Sequence, residues 1–312
     1  MKKKYYHWAV LALASLSLTA CHQSYADLNI NDKIQEQAHP TLTWGVKADT
    51  NLFGFYSPAA GEITGFEVDL ARALTDELTD GQGKAEFVEI NSKTRIPMLK
   101  LGKIDAIIAT MTINEEREGQ VDFSDVYFRG GQSLLVKKDS GIEGIDDLTK
   151  DHTVIAVKGS SSTKNFRKLK PEVNVLDLEN YSEAFVALQS GQGDALTTDN
   201  AILLGMMAKD PNYHLAGANF TKEFYGIAIN EDQDDFHQAV NQALDTLQAN
   251  GVYDELYNKW FKDLLPADSI QSASTSTHPK TYYPVQESRE MIEAFTQEIR
   301  QAIGEAEPGQ DK

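Results

Sequence analysis

Arg117 closes the stretch Ile104–Arg117, IDAIIATMTINEER, in which Thr110 and Thr112 stand between an apolar run and the guanidinium. Hydroxyls and backbone amides satisfy carboxylate lone pairs. An arginine holds both oxygens of a carboxylate with two parallel N–H bonds, where a lysine offers only a point charge. The combination makes a seat for a small carboxylate. Glu115 or Glu116 could instead occupy Arg117 in a surface ion pair. A second anion-friendly stretch is Lys158–Thr163, KGSSST. A glycine and a run of hydroxyls before a helix present free amides at a positive dipole end. An N-cap needs only one of those residues, and the run supplies Ser160, Ser161, Ser162 and Thr163.

These residues need elements to hold them. Ile104 and Ala106–Ala109 read as a short strand buried on both faces, and open α/β sheets bind ligands at the carboxyl ends of their strands. Leu42, Trp44 and Val46 alternate in a first strand that ends at Lys47. The turn-rich Asp49–Gly65 carries Phe53 and Phe55, and Phe66, Leu70, Leu74 and Leu78 recur at helical spacing. Further strands are expected at Ala85–Ile90, Gly131–Lys138, Thr153–Val157, Val173–Leu176 and Phe224–Asn230. Asp194–Leu196 repeats the Asp105–Ile107 theme and ends in Thr197, Thr198 and Asp199. Two α/β lobes built alike, with strands crossing between them at Gln132–Lys138 and Tyr225–Asn230, are the simplest account.

The ends of the chain read differently. Lys2, Lys3 and Lys4 precede an apolar run from Trp8 to Leu18, then Thr19, Ala20 and Cys21, the pattern of a secretory signal. The run is too short to span a bilayer as a helix. Leu18-Thr19-Ala20-Cys21 resembles the bacterial lipobox, which implies cleavage before Cys21 and acylation of its sulfur. Cys21 is the only cysteine of 312 residues, so no disulfide can form within the chain. Loss of residues 1–20 takes the formal net charge from −18 to −21, which argues against nucleic acid as a partner. The seven histidines show no metal-ligand spacing, and there is no P-loop or dinucleotide fingerprint, so neither metal nor cofactor is expected. Near the end, Met291, Ile292, Phe295, Ile299 and Ile303 form one apolar stripe on a charged helix.

Six pieces in order carry a resemblance: GEITGFEVDLARAL at 61–74, KTRIPML at 93–99, IDAIIATMTINEER, VDFSDVYF at 121–128, VKGSSST at 157–163 and GDALTTDNAILLG at 193–205. Together they resemble the bacterial extracellular solute-binding proteins that deliver polar amino acids to ATP-driven importers, over residues 41 to about 262. The resemblance implies an α/β, two-lobed periplasmic-binding-protein fold of type II, each lobe a doubly wound sheet flanked by helices, joined by a two-strand hinge. The expected organisation is a lipoprotein signal at 1–20, an acylated tether at 21–40, a first lobe at 41–134 plus 229–266, and a second at 135–228. A Ser/Thr-rich linker at 267–284 and an amphipathic helix and tail at 285–312 follow.

The resemblance also implies roles. Arg117 would grip the α-carboxylate of a free amino acid, helped by Thr110, Thr112 and the turn Ser161, Ser162, Thr163, and Asp199 would take the α-ammonium as an acceptor-only group. Asp199 could also cap the helix that follows it. Arg95 and Lys47 are cations that the two poles of the zwitterion do not require, and Tyr181 matches a residue lining the side-chain end in acidic amino acid binders. A second ligand carboxylate would account for both cations, which puts glutamate or aspartate ahead of glutamine. Phe53 is a candidate to cover the ligand, although Leu52-Phe53-Gly54-Phe55 lacks the proline common in that loop. The partners implied are the permease and ATPase subunits of an importer, with the membrane reached through the lipid anchor on the extracellular face of a Gram-positive cell. The competing classes are a same-fold enzyme, a dehydratase or peptidoglycan lyase with Glu115 or Glu116 as its carboxylate, and a sensor that uses the C-terminal helix.

Overall fold

The computed structural model describes residues 29–262. The signal segment, Cys21, the linker and the C-terminal helix lie outside the described residues. Helix α1 (Ile30–Glu36) starts the described chain. The polar composition of residues 21–40 predicts a loose tether, yet its end is docked. Ile30 is buried, its amide donates to Gln233 Oε1 at 2.9 Å, and Lys33 Nζ bonds Asp105 Oδ2 at 2.7 Å. Two apolar residues, Ile30 and Ile34, and two long-range bonds suffice to fix a short helix that composition alone marks as linker.

β1 (Thr41–Val46) and β5 (Lys84–Glu89) run parallel, and β6 (Ala106–Ile107) pairs parallel on the other side of β1. β15 (Ala228–Ile229) and β7 (Asp122–Phe123) complete the sheet antiparallel, in the order β5-β1-β6-β15-β7. β2 (Asp49–Thr50), β3 (Gly54–Ser57) and β4 (Glu62–Thr64) form a small sheet ahead of helix α2 (Phe66–Leu78). Phe66, Leu70 and Leu74 of α2 are buried as their spacing requires, and Trp44 of β1 donates its indole N–H to Thr75 Oγ1 at 2.9 Å.

The second sheet has the order β11-β10-β12-β9-β13, formed by β9 (Gln132–Lys137), β10 (Thr153–Val157), β11 (Asn174–Leu178), β12 (Ala195–Asp199) and β13 (Tyr213–Ala216). β10 is its parallel centre, and β9 and β13 add on antiparallel. The helices that concern the site are α3 (Arg95–Lys100) and α4 (Glu115–Glu118) beside the first sheet, and α5 (Ser161–Leu169), α6 (Tyr181–Gln189) and α7 (Asn200–Met207) beside the second. Helices α8 (Asp234–Ala249) and α9 (Val252–Phe261) return to pack on α2.

The crossings between sheets differ from the expectation. Gln132–Lys137 lies wholly within the second sheet, and Ala228–Ile229 within the first. The connecting pair is β8 (Phe128–Gly130) against β14 (Glu223–Tyr225), antiparallel with Phe128 opposite Tyr225. Alternation over Phe224–Asn230 suggests one strand, but the segment is two short strands separated by Gly226 and Ile227. A β-carbon at Gly226 would meet Ile113 at 2.9 Å, so only glycine passes there without displacing its neighbour. Below the crossing, Phe53, Phe66, Phe128, Tyr225 and Phe261 form one aromatic cluster, with ring centroids 4.9 to 6.5 Å apart.

Candidate functional site

The carboxyl ends of the strands in both sheets face one cleft. From the first sheet come Lys47 after β1, Ser92 and Arg95 after β5, and Thr110 to Arg117 after β6. From the second come the turn Gly159–Thr163 after β10 and Asp199 as the last residue of β12. This is where sheets of this class bind ligands.

The seat around Arg117 is built from backbone. Arg117 is 8% exposed, so it is no surface ion pair; Glu116 instead pairs with Lys164. Its Nη1 donates to Thr112 O at 2.6 Å, and its Nη2 reaches across the cleft to Gly159 O at 3.3 Å. Thr110 has φ +44°, a left-handed conformation that is strained for a β-branched residue by about 1–3 kcal/mol. Three residues distant in sequence hold it there. Its amide donates to Glu67 Oε1 at 2.6 Å, Tyr127 Oη donates to the same oxygen at 2.5 Å, and Arg95 Nη1 donates to Ala109 O at 2.9 Å.

Arg95 therefore faces the backbone of the seat with one nitrogen committed, while its Nε is buried without an acceptor among the described residues. Lys47 is fully buried, donates to Ser92 Oγ at 2.8 Å and lies 4.8 Å from the centroid of the Tyr181 ring. Burial lowers its pKa to about 8, against the opposing pull of Asp49 and Glu67. Burial also raises Glu67, to about 7. Asp49 accepts the Tyr181 amide at 2.7 Å, and Thr198 Oγ1 donates to the Tyr181 hydroxyl at 3.0 Å. Tyr181 thus holds the first sheet's loop to the second sheet at the far end of the cleft.

Asp199 precedes α7 but makes no side-chain capping bond. Its Oδ2 accepts from Tyr225 Oη at 2.5 Å, and its Oδ1 is buried with no donor among the described residues. A buried carboxylate oxygen without a donor is costly unless a ligand supplies one, and an ammonium would. Burial raises Asp199 to about 6, with the Tyr225 bond and the Arg117 charge opposing. Glu223 on β14 is 1% exposed and accepts from Thr221 Oγ1 at 2.8 Å and Ser161 Oγ at 3.3 Å.

The cleft thus brings Arg117, Thr110, Thr112, Arg95, Lys47, Ser161, Ser162, Tyr181 and Asp199 together. Two expectations differ. Phe53 is fully buried in the aromatic cluster, edge-on to Phe128 at 4.9 Å, so it packs the core instead of covering a ligand. Thr163 spends its hydroxyl on Val157 O at 2.9 Å, and its amide donates to the Ser160 side chain at 3.2 Å. Ser160 and Thr163 are the N-cap pair of α5, which leaves Ser161 and Ser162, at the helix start, facing the site.

Glu67, Asp49, Ser92 and Glu223 escape sequence reasoning. For Glu67 a signal exists: it lies one turn before Ala71 on the buried side of α2, where a carboxylate needs a partner. Glu223 sits just before the strand that alternation suggests, and nothing local marks it.

Residues 42–263 match the family described as bacterial extracellular solute-binding proteins, family 3. The chain is 48% identical over 268 residues to the ABC transporter glutamine-binding protein GlnH of Bacillus subtilis, covering 84% of this chain and 98% of the relative. It is 55% identical over 205 residues to a glutamine-binding protein of Geobacillus stearothermophilus, covering 66% and 78%. Among solved structures, an ancestral arginine-binding protein bound to glutamine superposes with a TM-score of 0.66 at 40% identity, covering 71% of this chain and 97% of that one.

Proposed function

The chain belongs to family 3 of the bacterial extracellular solute-binding proteins, and from that premise we propose that it captures free L-glutamine in the cleft and presents it to an ATP-driven importer. One observation carries the choice of side chain. Lys47 and Arg95, the cations that suggested a dicarboxylic ligand, already lie in the field of carboxyl groups of the cleft. Asp49 and Glu67 act on Lys47, Glu67 acts on Arg95, and Asp199 acts on Arg117. After Arg117 takes the α-carboxylate and Asp199 the α-ammonium, no unbalanced cation remains for a second carboxylate. An amide, with a donor and an acceptor and no charge, suits a side-chain end where Lys47 donates and Ser92 and Asp49 accept. The names of the Bacillus and Geobacillus relatives support the same side chain.

The protein acts by binding alone in this reading, without catalysis. Its residues divide between two sheets joined by β8 and β14, so full contact with the ligand requires hinge closure, a motion typical of periplasmic binding proteins. Cleavage before Cys21 and acylation would hold it on the outer face of the cell membrane of a Gram-positive bacterium, beside the permease and ATPase subunits. Calorimetric titration of the purified protein with glutamine, glutamate, aspartate, asparagine and arginine tests the assignment. Glutamine should bind tightest, at least tenfold ahead of glutamate. Tighter binding of glutamate would overturn the choice of side chain, and recovery of a chemically altered amino acid would overturn the absence of catalysis.

A further inference from the structure

β14 is one of the two strands that join the lobes, and its residues 223 and 225 share a face because strand side chains alternate. Both reach site residues of the second sheet: Glu223 accepts from Ser161 Oγ, and Tyr225 donates to Asp199 Oδ2. Ser161 Oγ also lies 3.4 Å from Thr112 Oγ1, one residue of the Arg117 seat, and Thr112 bridges to Tyr225 across the backbone. A buried carboxyl on a hinge strand thus touches the helix start of the second lobe, and Ser161 there links it to the carboxylate seat of the first.

We propose that Glu223 is a positioning residue of the amino-acid site, a second carboxyl beside Asp199 through which the crossing strand β14 responds to the charge of the ligand's α-ammonium. The inference rests on the amino-acid-binding reading and deepens it. The charged and titratable groups acting on Glu223 are Asp199 from β12, Arg117 from α4 and Tyr225 from its own strand, while Arg129 of β8 lies over the Phe224 ring on the opposite face. Burial and the Asp199 charge raise Glu223 to about 8, so without ligand it holds a proton through neutral pH. An ammonium held at Asp199 Oδ1 cancels the repulsion between the two carboxyls. Glu223 then gives its proton to the solvent buffer and becomes a full acceptor for the Ser161 and Thr221 hydroxyls. Those bonds draw the start of α5 onto β14 in the closed form.

Titration with glutamine near pH 8 in two buffers of different ionisation enthalpy measures this directly, because the difference in observed heat counts the protons exchanged. The wild-type protein should release a net fraction of a proton per ligand, and Glu223→Gln, which keeps the shape and one acceptor, should release close to none. Near pH 5 the proton released comes from Asp199, which is raised to about 6, so wild type and Glu223→Gln should there release alike. Glutamine binding with buffer-independent heat would overturn the proposal and leave the binding function standing. Equal release from wild type and Glu223→Gln near pH 8 would assign the proton to another group and also overturn it. No binding of any amino acid would instead overturn the reading on which it rests.

Discussion

At the scale of single residues, the site is a contest between desolvation and partners. Arg117 and Asp199 sit at 8% and 3% exposure, and removing one side of a buried charge contact leaves the other without compensation. Truncation of such a partner costs about 2–5 kcal/mol. Arg117→Ala and Asp199→Asn should each weaken glutamine binding about a hundredfold or more in calorimetry, while circular dichroism stays native. Affinity within a factor of a few of wild type would remove either residue from the site. Arg95 shows how position redefines a side chain. Read along the chain it is a spare cation in reach of a ligand; in the fold its Nη1 holds Ala109 O, so it shapes the seat.

At the scale of elements, α2 delivers Glu67 to the amide of Thr110, and the strained turn after β6 depends on that delivery. Glu67→Gln retains an acceptor for both Thr110 and Tyr127, whereas Glu67→Met fills the volume without one. Loss of a buried hydrogen bond partner costs about 1–3 kcal/mol. The methionine variant should therefore bind glutamine about tenfold or more weakly than the glutamine variant, measured side by side; equal affinities would show that the turn keeps its shape without Glu67. The turn after β10 works by closeness. Gly159 has φ +78°, and a β-carbon there would come within 2.8 Å of Lys93 N and Ser92 across the cleft. Gly159→Ala should reduce affinity and leave the ligand-saturated protein more open by small-angle scattering. A wild-type radius of gyration with glutamine bound would mean that the lobes do not meet at this point.

At the scale of the whole molecule, the cleft stores buried charge that a ligand balances. Glu67, Asp199 and Glu223 are raised to about 7, 6 and 8. A carboxyl raised above its unfolded value binds more protons when folded, so its contribution to stability is present at low pH and is lost as pH rises through the folded value. The melting midpoint of the ligand-free protein should fall between about pH 5 and about pH 8, with a shallower fall under saturating glutamine, checked by scanning calorimetry. A midpoint that rises across this window would contradict the buried-acid account. Much of this molecule is legible in the chain. The periodicities of Leu42–Val46, Phe66–Leu74 and Thr153–Val157 report burial on a face, a local property written at a fixed repeat, and the motif order carries the lobes, the family and Arg117, Thr110, Thr112 and Asp199. The sequence by itself also supplied the cations Lys47 and Arg95. Only the tertiary structure brought Glu67 to Lys47 and Arg95, and Glu223 to Arg117, from segments whose proximity no spacing encodes. It likewise sent Phe53 into the aromatic core, made Thr163 a cap and moved the crossing to Phe128–Gly130 and Glu223–Tyr225. Each of these turns on which neighbour completes a burial or a hydrogen bond, and that neighbour lies elsewhere in the chain.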